Sequence, residues 1–294
     1  RFPDDPRPGR PSGRGFHGDR GTMSKDISNL TSGWAYDPDE VRARWIQADD
    51  GTRKIQLRLD LGVFQMEVEG RPDGTRPRGA VSLCDHYIEE ERRAPGNALP
   101  HKLGGDACAE LQQEVMQYYY RIMAFHALGD FEGVVRDCEH NLDLIDIVAE
   151  YAVDDEVAWQ FMQLYPYMRM MLARARVELN LEDGRYREAA EAVQEGIKDL
   201  ESFYAENYEP TNEDGSAVPP PAELESLKEL LATVEKRRPR SAAETLREEL
   251  ARAVELENYE KAAFLRDQLK ALKGLGGLGN GKKRGRPGSR GNPA

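Results

Sequence analysis

Apolar and polar positions first alternate along this chain and then settle into a helical rhythm. Residues 41–48 read as a strand. In 53–60, Ile55, Leu57 and Leu59 alternate with Lys54, Gln56 and Arg58. In 63–69, Phe64, Met66 and Val68 share one face. A period of two with one apolar face marks a half-buried strand. Asp49-Asp50-Gly51-Thr52 supplies a hairpin turn, Gly62 allows a second, and Pro72-Asp73-Gly74 ends the run. The pattern predicts a three-stranded antiparallel meander. Such a sheet is too small to stand alone, so its apolar face must pack on helices. Its other face carries Arg42, Arg44, Arg53, Lys54 and Arg58, either as a basic patch or as an ordinary solvated surface.

The helical rhythm predicts a short amphipathic helix over 80–93, a loop over 94–106, and helices from 107 to 207. Within them a pattern repeats. Gly129-Asp130-Phe131 and Gly184-Arg185-Tyr186 lie 55 residues apart. After each aromatic the apolar positions coincide: Phe131, Val134, Val135, Cys138, Leu142 and Ile145 against Tyr186, Ala189, Ala190, Val193, Ile197 and Leu200. Each set is one helical stripe. Cys138 therefore reads as a small buried hydrophobe. The helix before the first glycine is apolar nearly all round, with Met116, Tyr120 and Met123 on a second side. That suits a helix held between two layers. The Tyr/Met cluster is core by this reading, or it lines a peptide groove. His126 falls on the apolar stripe and reads as a core histidine.

Residues 208–221 form a linker with a stiff Pro run. A helix follows, with Leu224, Leu227, Leu231 and Val234 as its stripe. Residues 241–273 then read as two short helices folded back on each other. Ser241 and Glu244 make a capping box. Leu246, Leu250, Ala253 and Glu257 share a face, flanked by Val254 and Leu256, and Glu257-Asn258 breaks the pattern. The second helix puts Tyr259, Ala262, Leu265, Arg266, Leu269 and Leu272 on one side. Ala253, Ala262 and Ala263 would let the two backbones approach closely. Phe264 lies roughly opposite that stripe, so it is exposed in an isolated hairpin. Helices this short bury little and gain from docking onto something.

Composition narrows the setting. The chain has 294 residues, 32% of them charged, and a net charge of −12. This suits a soluble cytoplasmic protein. No apolar run reaches the roughly 18 residues of a membrane span, so no membrane partner is expected. Residues 1–22 are rich in Pro, Gly and Arg without an apolar signal core, and are expected to be disordered. Met23 reads as the true start. Residues 274–294 hold five basic residues and no acidic one, and read as a disordered basic tail. The cysteines, Cys84, Cys108 and Cys138, are isolated, with no Cys-x-x-Cys zinc spacing. In Cys84-Asp85-His86 and Cys138-Glu139-His140 the first and third residues point to opposite sides of a helix, so no metal site and no cofactor is expected.

Three resemblances add to this. Ala253-Val254, then Asn-Tyr-Glu-x-Ala-Ala over 258–263 and Leu-Arg-Asp-x-Leu over 265–269, closing on Leu272, resemble the UVR (UvrB/UvrC) motif. That family forms helical hairpins that bind a second UVR hairpin or another protein. It occurs in excision-repair subunits, Clp-type unfoldases and the McsA-type regulator, whose zinc-binding Cys pairs this chain lacks. The resemblance implies protein binding through Tyr259, Glu260, Ala263, Phe264, Arg266 and Asp267. The helix, Gly-x-aromatic turn and helix with small residues resemble the tetratricopeptide (TPR) hairpin, at a period of 55 rather than about 34. Lys282-Lys283-Arg284-Gly285-Arg286-Pro287 resembles an AT-hook core, which implies minor-groove contact by Lys282, Lys283, Arg284 and Arg286; a generic polyanion-binding tail is the alternative.

The expected fold is α+β and mainly α: a meander in 23–78 after a lead-in, TPR-like helical hairpins in 79–207, a linker in 208–221, and a helix plus UVR hairpin in 222–273. The expected function is that of a non-enzymatic adaptor. Its partner is another UVR-motif protein, a stress or repair protein, or a second copy. The alternative is a DNA-binding or excision-repair accessory protein acting through the tail. Phosphate-binding loops, His-Glu-x-x-His and nucleophile elbows are not found in the sequence, and no helicase or nuclease motif accompanies the UVR resemblance.

Overall fold

A computed structural model describes residues 27–209, 219–239 and 242–276. The chain divides into two compact units, residues 1–165 and 166–294. The sequence boundaries at 78/79 and 207/208 divide it differently. The two Gly-x-aromatic hairpins fall in different units.

The first unit is built on a sheet of order β1-β2-β3, with β1 Ala43–Gln47, β2 Arg53–Arg58 and β3 Val63–Glu67. Both pairings are antiparallel, with Trp45 opposite Ile55 and Ile55 opposite Met66. The alternation read from the sequence therefore sets the register. A one-turn helix, α1 (Ser28–Thr31), precedes the sheet. Helix α2 runs Leu83–Arg93, α3 Gly105–Leu128, α4 Phe131–Tyr151 and α5 Asp155–Met162. Helix α3 lies under the apolar sheet face. There Trp45 meets Phe125 with ring centroids 6.0 Å apart, and Phe64 meets Tyr120 edge-on at 4.9 Å.

The opposite sheet face is neither a basic patch nor a bare solvated surface. Arg44 stacks over Trp34 at 4.0 Å and Arg58 donates to the Trp34 carbonyl at 2.9 Å. Arg42 pairs with Asp37 and Glu40, and Lys54 with Glu67. Arg53, on the α3-facing side, stacks over Trp45 at 3.5 Å. All five cations are spent within the unit, on the lead-in or a neighbouring strand.

Helices α3 and α4 form a hairpin around Val115, Ile122, Phe125, Val134 and Cys138, all fully buried. Complete burial of such an aliphatic side chain contributes about 1.5–3 kcal/mol. The turn closes on Gly129 at φ +72°. The Gly129 N–H donates to His126 O and the Asp130 N–H to Phe125 O, a Schellman motif that ends α3. Asp130 then caps α4, accepting from the Gly133 N–H at 3.1 Å. His126 is exposed, a correction to the core histidine expected from the stripe. It lies in the last turn before Gly129, beyond the layer that covers Phe125, and meets Phe131 edge-on at 6.0 Å.

In the second unit, α6 (Tyr165–Glu182) and α7 (Tyr186–Asn207) meet through the same turn, with Gly184 at φ +69°. Helix α8 (Ala222–Arg237) packs along α7. All three converge at Gly196. A Cβ there would lie 3.0 Å from both Ala173 in α6 and Leu227 in α8, so the missing side chain permits the close crossing. Arg169 pairs with Asp199, Arg174 donates to Ser226 Oγ, and Arg176 pairs with Glu195 at 3.3 Å. The remaining helices, α9 (Ala242–Glu255) and α10 (Tyr259–Gly276), form the C-terminal hairpin. No described helix is long and apolar enough to cross a membrane.

Candidate protein-docking hairpin

The inner side of the α9–α10 hairpin is built from small and branched residues. Ala253, Ala262 and Leu265 form its core, with Leu246 and Leu250 against them and Leu269 buried further along. Two alanines at the closed end let the backbones approach, as their spacing implied. Ala263, expected beside them, is exposed one position further round the helix.

The turn is again a Schellman motif, as at Gly129 and Gly184. The Glu257 N–H donates to Val254 O at 3.0 Å and the Asn258 N–H to Ala253 O at 2.8 Å. Here a glutamate, Glu257, holds the left-handed position at φ +54°. Asn258 then caps α10, its side chain accepting from the Lys261 N–H at 3.1 Å. Glu260 in the first turn complements the helix dipole. Ser241 lies outside the described residues, and with it the expected capping box. Glu244, its expected partner, accepts from Arg238 at 2.6 Å.

The six residues expected to bind a partner, Tyr259, Glu260, Ala263, Phe264, Arg266 and Asp267, are all exposed. Helical spacing sorts them into two adjoining stripes: Glu260, Phe264 and Asp267, and Tyr259, Ala263 and Arg266. Arg266 donates to Asp267 across the seam at 3.1 Å. Tyr259, Arg266 and Leu272 had been placed on the core stripe. The structure moves them out: Tyr259, at the first position of α10, is 68% exposed. Phe264 is 63% exposed, as its position opposite the core required. The sequence reading did not assign Val254 and Leu256 to the site. They are 50% and 73% exposed at the same closed end as Tyr259, and their place beside the stripe was the available signal.

Around this hairpin the chemistry is plain. Among the described residues, no group of three or more His, Cys, Asp or Glu is arranged to hold a metal. The three cysteines are buried and form no disulfide among the described residues, and burial pushes the Cys84 thiol well up. Lys282, Lys283, Arg284 and Arg286 lie outside the described residues.

Residues 241–275 match the family model described as the UvrB/uvrC motif, UVR. The chain carries a UVR motif. No curated protein and no solved structure matches it. The match covers the hairpin and leaves both helical bodies and the sheet outside the UVR motif. The fold described above fits the match: α9 and α10 are its two helices, and the Asn-Tyr-Glu-x-Ala-Ala segment is its turn and the start of its second helix.

Proposed function

We propose that this protein is a non-enzymatic cytoplasmic adaptor that captures a partner protein through the UVR hairpin. The TPR-like helical pairs serve as its scaffold. The reading rests on one observation. Phe264, a large aromatic, stands 63% exposed opposite a hairpin core that is already filled by Ala253, Ala262 and Leu265. Packing within the hairpin gives Phe264 no role, whereas burial against a partner would remove a large apolar area from water. Tyr259, Val254 and Leu256 extend that apolar surface. The partner is a second UVR hairpin, on a stress or repair protein or on another copy of this chain. In a pull-down with a purified UVR-bearing partner, Phe264→Ala and Tyr259→Asp weaken capture while helical circular dichroism is retained. Unchanged capture by both variants rejects the reading.

A second reading draws on the five basic residues of 274–294. It gives the protein salt-sensitive DNA binding that disappears when 274–294 are deleted. Equal binding by the truncated chain excludes it.

A further inference from the structure

Among the described residues, the sheet of the first unit leaves part of α3 uncovered beside the outer edge of β3. In the β2–β3 turn, Leu59 and Gly62 exchange both backbone hydrogen bonds, at 2.9 and 3.4 Å. In an antiparallel ladder such exchange recurs at every second pair. It therefore falls on Leu57 with Phe64 and on Ile55 with Met66. Val63, Gln65 and Glu67 accordingly turn their N–H and C=O groups away from β2, toward the free edge. Glu67 confirms the phase. Its N–H donates outward to Pro72 O at 2.9 Å, and its carbonyl accepts from Arg121 at 2.9 Å. That end of the edge is thus closed. Among the described residues, nothing pairs with the outward groups of Val63 and Gln65.

Beside this edge α3 presents Gln113, Met116, Gln117 and Tyr120, one stripe at helical spacing that β3 leaves uncovered. Phe64 and Met66 form the other wall of a groove of about 430 Å³. Phe64 is 40% exposed there. A strand added to β3 would lie about 4.8 Å further out, over this stripe, with alternate side chains directed into the groove. Among the described residues lining it, Asp73 is the charged one. Burial works against the ionised carboxylate, but hydrogen bonds from Thr75 and Gln117 and the nearby Arg71 outweigh it and keep Asp73 below its ordinary pKa. Arg71, 3.5 Å from Asp73, also pairs with the buried Glu114 at 3.1 Å, so the two carboxylates outnumber the one guanidinium beside the groove, and the whole chain carries −12. Charge complementarity selects a basic occupant.

We propose that the β3 edge and the uncovered α3 stripe bind an extended segment of a partner protein as a fourth strand, an apolar residue of it seated between Phe64 and Met116 and a Lys or Arg directed to Asp73. This is strand addition, in which backbone pairing supplies affinity and a side-chain groove supplies selectivity. The site belongs to a different unit from the UVR hairpin. Resting on the adaptor reading above, it gives the protein a second, sequence-tolerant hold on its partner.

Fluorescence anisotropy on the full chain tests the proposal. The probe is a fluorescein-labelled peptide of alternating Val and Thr with Lys at both ends. Gln65→Pro removes one outward N–H without touching the ladder to β2, a place where an edge strand tolerates proline. It weakens binding by about three- to tenfold, the size expected for losing one backbone hydrogen bond. Gln65→Ala, which lacks the side chain but keeps the N–H, binds within about twofold of the original by the same accounting. Met116→Asp abolishes binding through the groove. N-methylation of alternate peptide amides abolishes it in one phase and spares it in the other. Circular dichroism identifies any variant that has failed to fold, and the methylated peptides test the pairing on unaltered protein. Four results overturn the proposal: no binding at about 1 mM peptide, equivalent to only about 4 kcal/mol; equal binding by peptides methylated in either phase; binding that appears only after removal of residues 1–26, which assigns the edge to the chain's own segment; or a dimer that Gln65→Pro dissociates, which assigns it to a second copy.

Discussion

Arg121 and Asp137 face each other across the α3–α4 hairpin, 1% and 0% exposed, joined by two hydrogen bonds of 2.6 and 2.9 Å. The remaining guanidinium nitrogen, Nη1, donates to the carbonyls of Glu67 and Gly70 at 2.9 and 2.8 Å. One side chain thus ties the end of β3 to both helices. Removing Asp137 leaves the Arg121 guanidinium in the core without a counter-charge, at a typical cost of about 3–5 kcal/mol, whereas removing Arg121 leaves Asp137 its pairing with Arg136 at 3.2 Å. Asp137→Ala should therefore lower the unfolding free energy of the first unit, measured in urea, by an amount of that order. Arg121→Ala, which leaves Asp137 paired with Arg136, should also destabilise it. The double variant should be less destabilised than the sum of the two, since neither charge is then left alone.

Glu114 makes the fold sensitive to acid. It is fully buried and accepts from the N–H groups of Leu83 and Cys84 at 2.8 and 3.0 Å, at the start of α2. The His140 imidazole lies 3.3 Å away, stacked on Tyr118. Burial pushes the carboxyl up, but the bonds from His140, Leu83 and Cys84 prevail and hold it below its ordinary value. A lowered folded-state pKa stabilises the fold above the ordinary glutamate range, and that contribution is lost as pH falls through the lowered value. Urea midpoints measured from neutral pH down through the carboxylate range should fall, and should fall less steeply in Glu114→Gln.

Gly133 sits where no side chain fits. A Cβ there would come within 2.7–2.8 Å of the Phe125 ring, which is fully buried and cannot yield. Gly133→Ala should destabilise the first unit by about 1–3 kcal/mol, as overpacking does. Pairing it with Phe125→Leu should recover part of the loss, measured by the same denaturation.

Much of this architecture was legible because its signals are local. The alternation of Ile55, Leu57, Phe64 and Met66 set the strands, and Gly129 and Gly184 announced two turns before any helix was seen. The UVR segment declared itself through Asn258, Tyr259 and the two alanines. The buried polar groups were not legible. Glu114, Arg121, Asp137 and Asn141 look like residues of a solvated face, and only the second layer over α3 and α4 places them inside. Tyr259 and His126 were misplaced for a related reason. A stripe drawn through a helix continues to its ends, whereas the covering layer stops short. The predicted meander already put β3 at an edge, but the α3 stripe beside it was invisible, because the alternation does not say how much of α3 the sheet covers.

Glu257 gives the sharpest separation between building the UVR hairpin and using it. At φ +54° it occupies the left-handed position that Gly129 and Gly184 fill in the other two turns. A residue with a Cβ pays roughly 1 kcal/mol there that glycine does not. Glu257→Gly should therefore stabilise the α9–α10 hairpin by about 0.5–1 kcal/mol, after allowing for the greater freedom of glycine in the unfolded chain. Slower amide exchange at Ala262 and Leu265 would report it. Gly184→Ala should do the reverse to the α6–α7 turn, where open space around the Cβ leaves conformational strain as the only cost. The exposed stripes on α10 are untouched by Glu257→Gly, so partner capture should be equal or slightly stronger. A variant that is more stable yet binds less would show that the turn itself, and not Phe264, makes the contact.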